Sequence, residues 1–305
     1  MFEGVAVRMA APNPQMSREE LLGFVKGADA VVSMFHDRVD DEFLDAAGPQ
    51  LKAVCNFAVG VDNIDLAACR RRGVVATNTP DVVTEGTANL AWALILAVAR
   101  RVIPGDRACR TGMFEREGNG FPIGWMGMHL AGQTLLIVGA GRIGRAVAQR
   151  GVAFGMRIMY AARSRHIDFE LAPTVARRVE LDEGLGLADV VSLHTPLTPE
   201  TRHLINARRL GMMKAEAILI NTARGPVVDE SALVEALKAG RLWGAGLDVF
   251  EHEPKVHAGL VGLENVVLTP HIGSAERHWR EEMTGLAVGS ALASLRGERP
   301  QNVVT

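Results

Sequence analysis

The sequence predicts an α/β fold in which parallel sheets are wound on both faces by helices. Three observations predict it. Short apolar runs alternate with helical segments from Gln133 onward. Most of these runs are apolar on consecutive residues, as expected of strands covered on both faces. One run ends in a glycine cluster that opens a helical stretch.

Taken in order, Ala30 to Met34 and Leu51 to Phe57 read as strands, with Asp41 to Ala46 helical between them. Gly73 to Asn78 is a third strand, and Thr79-Pro80 then punctuates the chain. Thr84 begins a long helix that runs to about Arg101. Thr134 to Val138 is a strand, followed by a helix from Ile143 to Phe154 with Ile143, Val147 and Phe154 near helical spacing. Arg157 to Ala161, Val190 to His194, Ile218 to Asn221, Leu247 to Phe250 and Val266 to Leu268 are further strands. Asp229 to Ala239 is a helix with Asp229 as N-cap, Leu233, Ala236 and Leu237 as its apolar stripe, and Gly240 as its stop. A last helix spans about Glu276 to Arg296. Met1 to Arg8 is a candidate for one more strand ahead of the first.

A chain of 305 residues has room for two domains. The economical arrangement inserts residues 80–270 into a smaller domain built from residues 1–79 and 271–305. A net charge of -2 speaks against nucleic acid or an anionic membrane as the main partner, since both demand an excess of Lys and Arg. The most apolar run, Leu90 to Ala99, is shorter than a bilayer requires and reads as a buried helix. Cys55, Cys69 and Cys109 form no CxxC pair, and no histidine cluster has zinc-ligand spacing, so no metal is expected. The cysteines read as reduced thiols and Met1 to Pro14 shows no signal-like apolar stretch, so a cytoplasmic protein is expected.

Gly139-Ala140-Gly141-Arg142-Ile143-Gly144 is a GxGxxG motif between a strand and a helix. In that context it predicts a dinucleotide site. The first glycine allows the tight turn, the second lets the backbone approach a pyrophosphate, and the third allows close helix–strand packing. The helix N-terminus then offers N–H groups to the phosphates. An NAD site places an acidic residue at the end of the next strand, but here Ala162-Arg163-Ser164-Arg165 follows it. Arg163 and Arg165 suit a 2′-phosphate and Ser164 offers a hydroxyl, so NADP(H) is preferred, with NAD(H) as the lesser cofactor.

Three polar segments follow later strands: Asn221 to Gly225, Asp248 to Pro254, and Thr269 to Gly273. Reduction of a 2-oxo acid needs a fixed cation for the carboxylate and ketone, a proton donor, and a group that keeps the donor protonated. Arg224, His271 and Glu253 supply these types at successive strand ends.

With these motifs assembled, the chain resembles the D-2-hydroxyacid dehydrogenase family, and most closely its glyoxylate/hydroxypyruvate reductases. The resemblance runs from about Asp29 to Ala275 through Ala58 to Asp65, Thr77 to Asp81, Gly139 to Gly144, Gly155 to Ile158, Asn221 to Asp229, Gly246 to Pro254 and Leu268 to Ser274. It implies two Rossmann-like doubly wound domains, with the nucleotide-binding domain inserted into a smaller flavodoxin-like substrate domain. It also implies a homodimer whose interface uses the helix from Thr84. Arg224, Glu253 and His271 match the family's catalytic set, and the match selects Glu253 over Glu251 and His252. Val59 and Gly60 match the backbone loop that receives the substrate carboxylate. Thr87, Thr195, Pro196, Thr222, Asp248 and Gly273 match positions lining the cofactor, beside Gly139, Gly141, Arg142, Ile143 and Gly144.

Two departures stand out. The segment ahead of Asp29 is short for this family, and Gly118 to His129, with Phe121, Trp125 and Met128, matches poorly. That second segment reads equally as a shaper of the active-site entrance or as a plain connection. Two rival functions stay open: a family member for another substrate such as formate, phosphite or 3-phosphoglycerate, the last favouring extra cations with Arg38 and His36 as candidates, and a nucleotide-sensing corepressor-like protein.

Overall fold

A computed structural model describes residues 4–10, 16–117 and 125–305. Residues 118–124, with Phe121, lie outside the described residues. The chain divides into two compact units: Met1–Pro80 with Glu282–Thr305, and Asp81–Glu281. The second boundary falls after Glu281 rather than at Pro270. His271, Ile272 and Gly273 all hydrogen-bond to Asp248, which ties this stretch to the larger unit.

The smaller unit holds a parallel sheet of β1 (Ala30–Met34), β2 (Ala53–Phe57) and β3 (Val75–Thr77), in that order. Helices Asp41–Ala47 and Leu66–Arg71 connect the strands, each capped by an aspartate, Asp40 or Asp65. Phe43, Leu44, Val54 and Ala68 are among the residues of its core. The candidate strand Met1 to Arg8 is not realised among the described residues, since residues 4–10 form no strand. Nearly all of them are exposed, so they bury no apolar face that would hold a strand against the sheet. Among the described residues β1 is therefore an edge strand, with Val32 43% exposed on it.

The larger unit holds a fully parallel sheet of seven strands. These are β4 (Thr134–Val138), β5 (Arg157–Ala161), β6 (Arg177–Arg178), β7 (Val190–Leu193), β8 (Ile218–Asn221), β9 (Gly244–Leu247) and β10 (Val266–Leu268). Their order is β10-β9-β8-β7-β4-β5-β6. Leu136, Val138, Val191 and Leu219 pack into one core, while Leu135, Ile137, Val190 and Ile220 pack into another. Successive residues of one strand thus enter different cores, which is why the strands read as continuous apolar runs.

The strand expected at Leu247 to Phe250 lies earlier, as β9. Its Gly-Ala-Gly-Leu sequence has no β-branched residue to announce it. A Cβ on Gly246 would stand 2.8 Å from Leu94 Cβ, so the helix Thr84–Ala99 lies directly on glycine. Leu90 to Ala99 thus belongs to a core helix, with Ala91, Trp92, Leu94, Ile95, Val98 and Ala99 buried. Among the described residues, no single helix is long and apolar enough to cross a membrane.

Candidate active site

The strand order reverses between β4 and β7, and in open parallel sheets ligands bind outside the strand ends at such a point. Gly139 begins the turn there with φ 102°, and a Cβ on it would stand 2.6 Å from His194 O. A side chain at 139 is therefore excluded by both conformation and space. A Cβ on Gly144 would lie 2.4 Å from Gly139 O, so the helix Arg142–Ala153 packs tightly on the strand. Gly141 faces open space and caps that helix without any side-chain hydrogen bond. The first N–H groups of the helix are thus left for a ligand.

Two further observations fit a dinucleotide at this place. Among the described residues, Thr195 Oγ1, after β7, and Thr222 Oγ1, after β8, are buried with no hydrogen-bond partner. A buried hydroxyl without a partner is costly, and a polar ligand would remove that cost. Pro196 is exposed beside Thr195, and Ile143 packs on the core behind the turn. Arg142 is paired with Asp81 at 2.5 Å.

The loop after β5 is less uniform than its sequence implied. Arg165 is bound to Glu170 Oε2 through Nε at 2.8 Å and Nη2 at 2.5 Å. Tyr160 OH donates to the other oxygen of Glu170 at 2.8 Å. Arg165 and Tyr160 together hold the Glu170 carboxyl below its ordinary value. Ser164 lies 3.3 Å from His166 Nε2, and Arg163 is exposed. Arg178 on β6 donates to the carbonyls of Ala162 and Arg163 at 3.2 and 3.3 Å. Sequence reading missed Arg178 because a strand of two residues leaves no period to find.

Arg224, Glu253 and His271 all lie on loops after β8, β9 and β10. Asn221 closes the first loop, donating to Arg224 O at 2.9 Å and accepting from Ala223 N at 3.0 Å. A Cβ on Gly225 would stand 1.9 Å from the carbonyl carbon of Phe250. This residue must be glycine because the first two loops touch backbone to backbone there. Glu253 Oε1 accepts from Phe250 N at 2.9 Å, and Glu253 Oε2 lies 2.8 Å from His271 Nδ1. Both side chains are mostly covered, 29% and 25% exposed. Burial pushes the Glu253 carboxyl up, but the His271 bond and charge, Phe250 N–H and the Arg224 charge outweigh it and leave it lowered.

His271 has φ 52°, a conformation unfavourable to any residue with a Cβ. Its N–H is held by Asp248 O at 2.8 Å and Thr269 O at 3.0 Å. The Asp248 side chain, 1% exposed, accepts from Thr269 Oγ1 at 2.6 Å, Ile272 N at 2.8 Å and Gly273 N at 2.8 Å. Both its oxygens serve the His271 loop. Burial pushes this carboxyl up, against the pull of those bonds and of His271. Thr87 lies against the same loop, close to where a Cβ on Gly273 would stand.

The other acids of the loop are engaged elsewhere. Glu251 pairs with His203 Nε2 at 2.6 Å and Arg202 at 3.2 Å, and its N–H donates to buried Glu230 at 2.8 Å. Geometry thus sets Glu253, and not Glu251, against His271. In the smaller unit, Val59 and Gly60 follow β2, and Val59 is 36% exposed. Among the described residues, no group of His, Cys, Asp and Glu is arranged to hold a metal ion.

A glycine turn at the switch point, with an acid–histidine pair at neighbouring strand ends, defines a nucleotide-dependent oxidoreductase. The model of the D-isomer specific 2-hydroxyacid dehydrogenase NAD-binding domain matches residues 92–273. A glyoxylate reductase of Thermococcus onnurineus is 49% identical over 293 residues, 95% of this chain and 86% of that protein. A solved protein of Thermus thermophilus is 49% identical with a TM-score of 0.89, covering 96% of this chain and 91% of that one. An NADPH-dependent glyoxylate/hydroxypyruvate reductase of Sinorhizobium meliloti, solved with NADP and malonate, is 35% identical with a TM-score of 0.82, covering 90% and 83%. The chain belongs to the D-isomer specific 2-hydroxyacid dehydrogenase family. It is an oxidoreductase that uses a nicotinamide cofactor and acts on a small 2-oxo or 2-hydroxy acid.

Proposed function

We propose that this enzyme is an NADPH-preferring reductase of glyoxylate or hydroxypyruvate, with Arg224, Glu253 and His271 as its catalytic set. The observation that carries the reading is the 2.8 Å contact between His271 Nδ1 and Glu253 Oε2, on loops beside a dinucleotide turn. Two relatives support the substrate: the Thermococcus onnurineus protein is a glyoxylate reductase, and the Sinorhizobium meliloti one a glyoxylate/hydroxypyruvate reductase.

Bound NADPH would supply the hydride, held by the Gly139–Gly144 turn, Thr195 and Thr222. Arg224 holds the substrate carboxylate and draws electron density from the ketone. Val59 and Gly60, by the family resemblance, offer backbone N–H groups to a substrate carboxylate. With Nδ1 facing Glu253, His271 delivers the proton of Nε2 to the ketone oxygen. Glu253 fixes the ring through its contact with Nδ1 and sets its carboxylate beside the imidazolium.

The cofactor preference rests on Ala162 just after β5 and on exposed Arg163, with Arg165 contributing less because Glu170 already holds it. Chain pairing through the helix from Thr84 is part of the proposal, supported by Val102 and Ile103, 50% and 42% exposed on the helix that follows. Free Cys55, Cys69 and Cys109 suit a reducing, cytoplasmic setting. The test is steady-state oxidation of NADPH, and separately NADH, with glyoxylate and hydroxypyruvate. Faster turnover with NADPH is expected. Equal or faster turnover with NADH overturns the cofactor assignment, and no turnover with either acid overturns the substrate.

A further inference from the structure

The loop after β2 is tied down through three consecutive carbonyls. Ala58 O accepts from Thr79 N at 2.9 Å, Val59 O from Asn78 Nδ2 at 2.8 Å, and Gly60 O from Asn56 Nδ2 at 2.8 Å. These peptides are trans, and a trans peptide carries its C=O and N–H on opposite edges of one plane. Holding each carbonyl toward its donor turns the N–H of Val59, Gly60 and Val61 the other way. Among the described residues, none of these three N–H groups donates a hydrogen bond.

Two of the three donors are asparagine side chains. Asn56 is 0% exposed in the otherwise apolar β2, where an amide is costly unless fully bonded. Its Oδ1 accepts from Ser33 Oγ at 3.1 Å and from Asn63 Nδ2 at 3.2 Å. Its Nδ2 also donates to Asn63 Oδ1 at 3.0 Å. Asn63 is anchored in turn to Met34 O and Asp37 O, at 3.1 and 3.0 Å. The network fixes the orientation of the Asn56 amide, so that its donor and not its acceptor meets Gly60 O. Packing alone would be satisfied by an apolar side chain at this position.

We propose that Asn56 and Asn78 are positioning residues that hold Val59, Gly60 and Val61 as a three-amide receptor for the substrate carboxylate. Val61 N–H is then a third donor beside the two already assigned. The proposal rests on the reading that this loop receives the carboxylate, and deepens it.

The test compares Asn78→Leu, Asn56→Leu and Gly60→Pro in the full-length enzyme. Each variant is assayed for KM and kcat with glyoxylate, for the Kd of oxamate as an unreactive carboxylate, and for the Kd of NADPH. Loss of one positioning bond is expected to raise the glyoxylate KM and the oxamate Kd about tenfold, with kcat and the NADPH Kd nearly unchanged. A role in packing alone would lower thermal stability without this selective rise. Asn78 is only partly buried, so Asn78→Leu carries the test should Asn56→Leu fail to fold. If Gly60→Pro weakens oxamate but Asn78→Leu does not, the positioning role is overturned and the carboxylate reading stands. If a folded Gly60→Pro also binds oxamate normally, both are overturned.

Discussion

Asp248 and Glu253 stand at the two ends of the loop that follows β9, and both are carboxylates close to His271. Asp248 is buried, and its two oxygens accept from Thr269 Oγ1, Ile272 N and Gly273 N. Glu253 gives one oxygen to the backbone of its own loop and the other to the His271 ring. Burial prevails at Asp248, whose carboxyl is raised, whereas His271 and its neighbours prevail at Glu253, whose carboxyl is lowered. One acid builds the loop that carries the histidine, and the other acts on the histidine itself. Two acids with the same partner nearby thus differ in what a substitution should cost: Asp248 in stability, Glu253 in rate.

The largest effect is expected at the residue they share. His271→Ala should lower kcat by about 10²-fold or more, the usual contribution of a general acid, with NADPH affinity retained in a binding titration. A near-normal kcat would remove the proton donor from the scheme. Glu253→Gln should come next, with a kcat loss on the order of tenfold to 10²-fold and a drop in melting temperature at neutral pH smaller than that of Asp248→Asn. Its pH behaviour has a definite sign. A carboxyl lowered on folding contributes stability above its ordinary value and loses it as pH falls through the lowered value. The stability difference between wild type and Glu253→Gln should therefore be present at neutral pH and fade on acidification below the ordinary glutamate range. A difference that grows on acidification would contradict the pairing.

Asp248→Asn should reverse the balance. It replaces one acceptor oxygen by a donor facing N–H groups, and about 1–3 kcal/mol of stability should be lost in denaturant unfolding. Its kcat should fall less than that of Glu253→Gln. The smallest effect concerns the cofactor loop. Arg163→Ala should raise the KM for NADPH well above that for NADH, and Arg165→Ala should do so less because Glu170 shares its charge. Equal effects of the two substitutions would show that the Glu170 pair does not divide their roles.

Much of this arrangement was legible in the sequence, and the reasons can be stated residue by residue. The Gly139–Gly144 turn is local: its steric demands fall on glycines close together in the chain. β4, β8 and β10 were visible because β-branched and aliphatic residues dominate them, and β5 because Ile158, Met159 and Tyr160 form a continuous apolar run. β9 was misplaced because Gly244 and Gly246 answer to Asn265 and Leu94, distant in sequence. The same distance hid the division of labour among acids. Nothing in Asp248 to Glu253 alone tells that His203 and Arg202 hold Glu251 or that Ile272 and Gly273 hold Asp248. Asn56 did leave a signal, a lone amide inside an apolar strand, but its object, Gly60 O, appears only once the loop has folded back.

The claim that Glu253 acts through His271, while Asp248 acts through the fold, is tested most directly by a double-mutant cycle on kcat. His271→Ala, Glu253→Gln and the double variant should show strong non-additivity, with the double variant no slower than His271→Ala alone. If the two losses instead multiply, Glu253 contributes independently of the imidazole and the pairing at the centre of this mechanism is wrong.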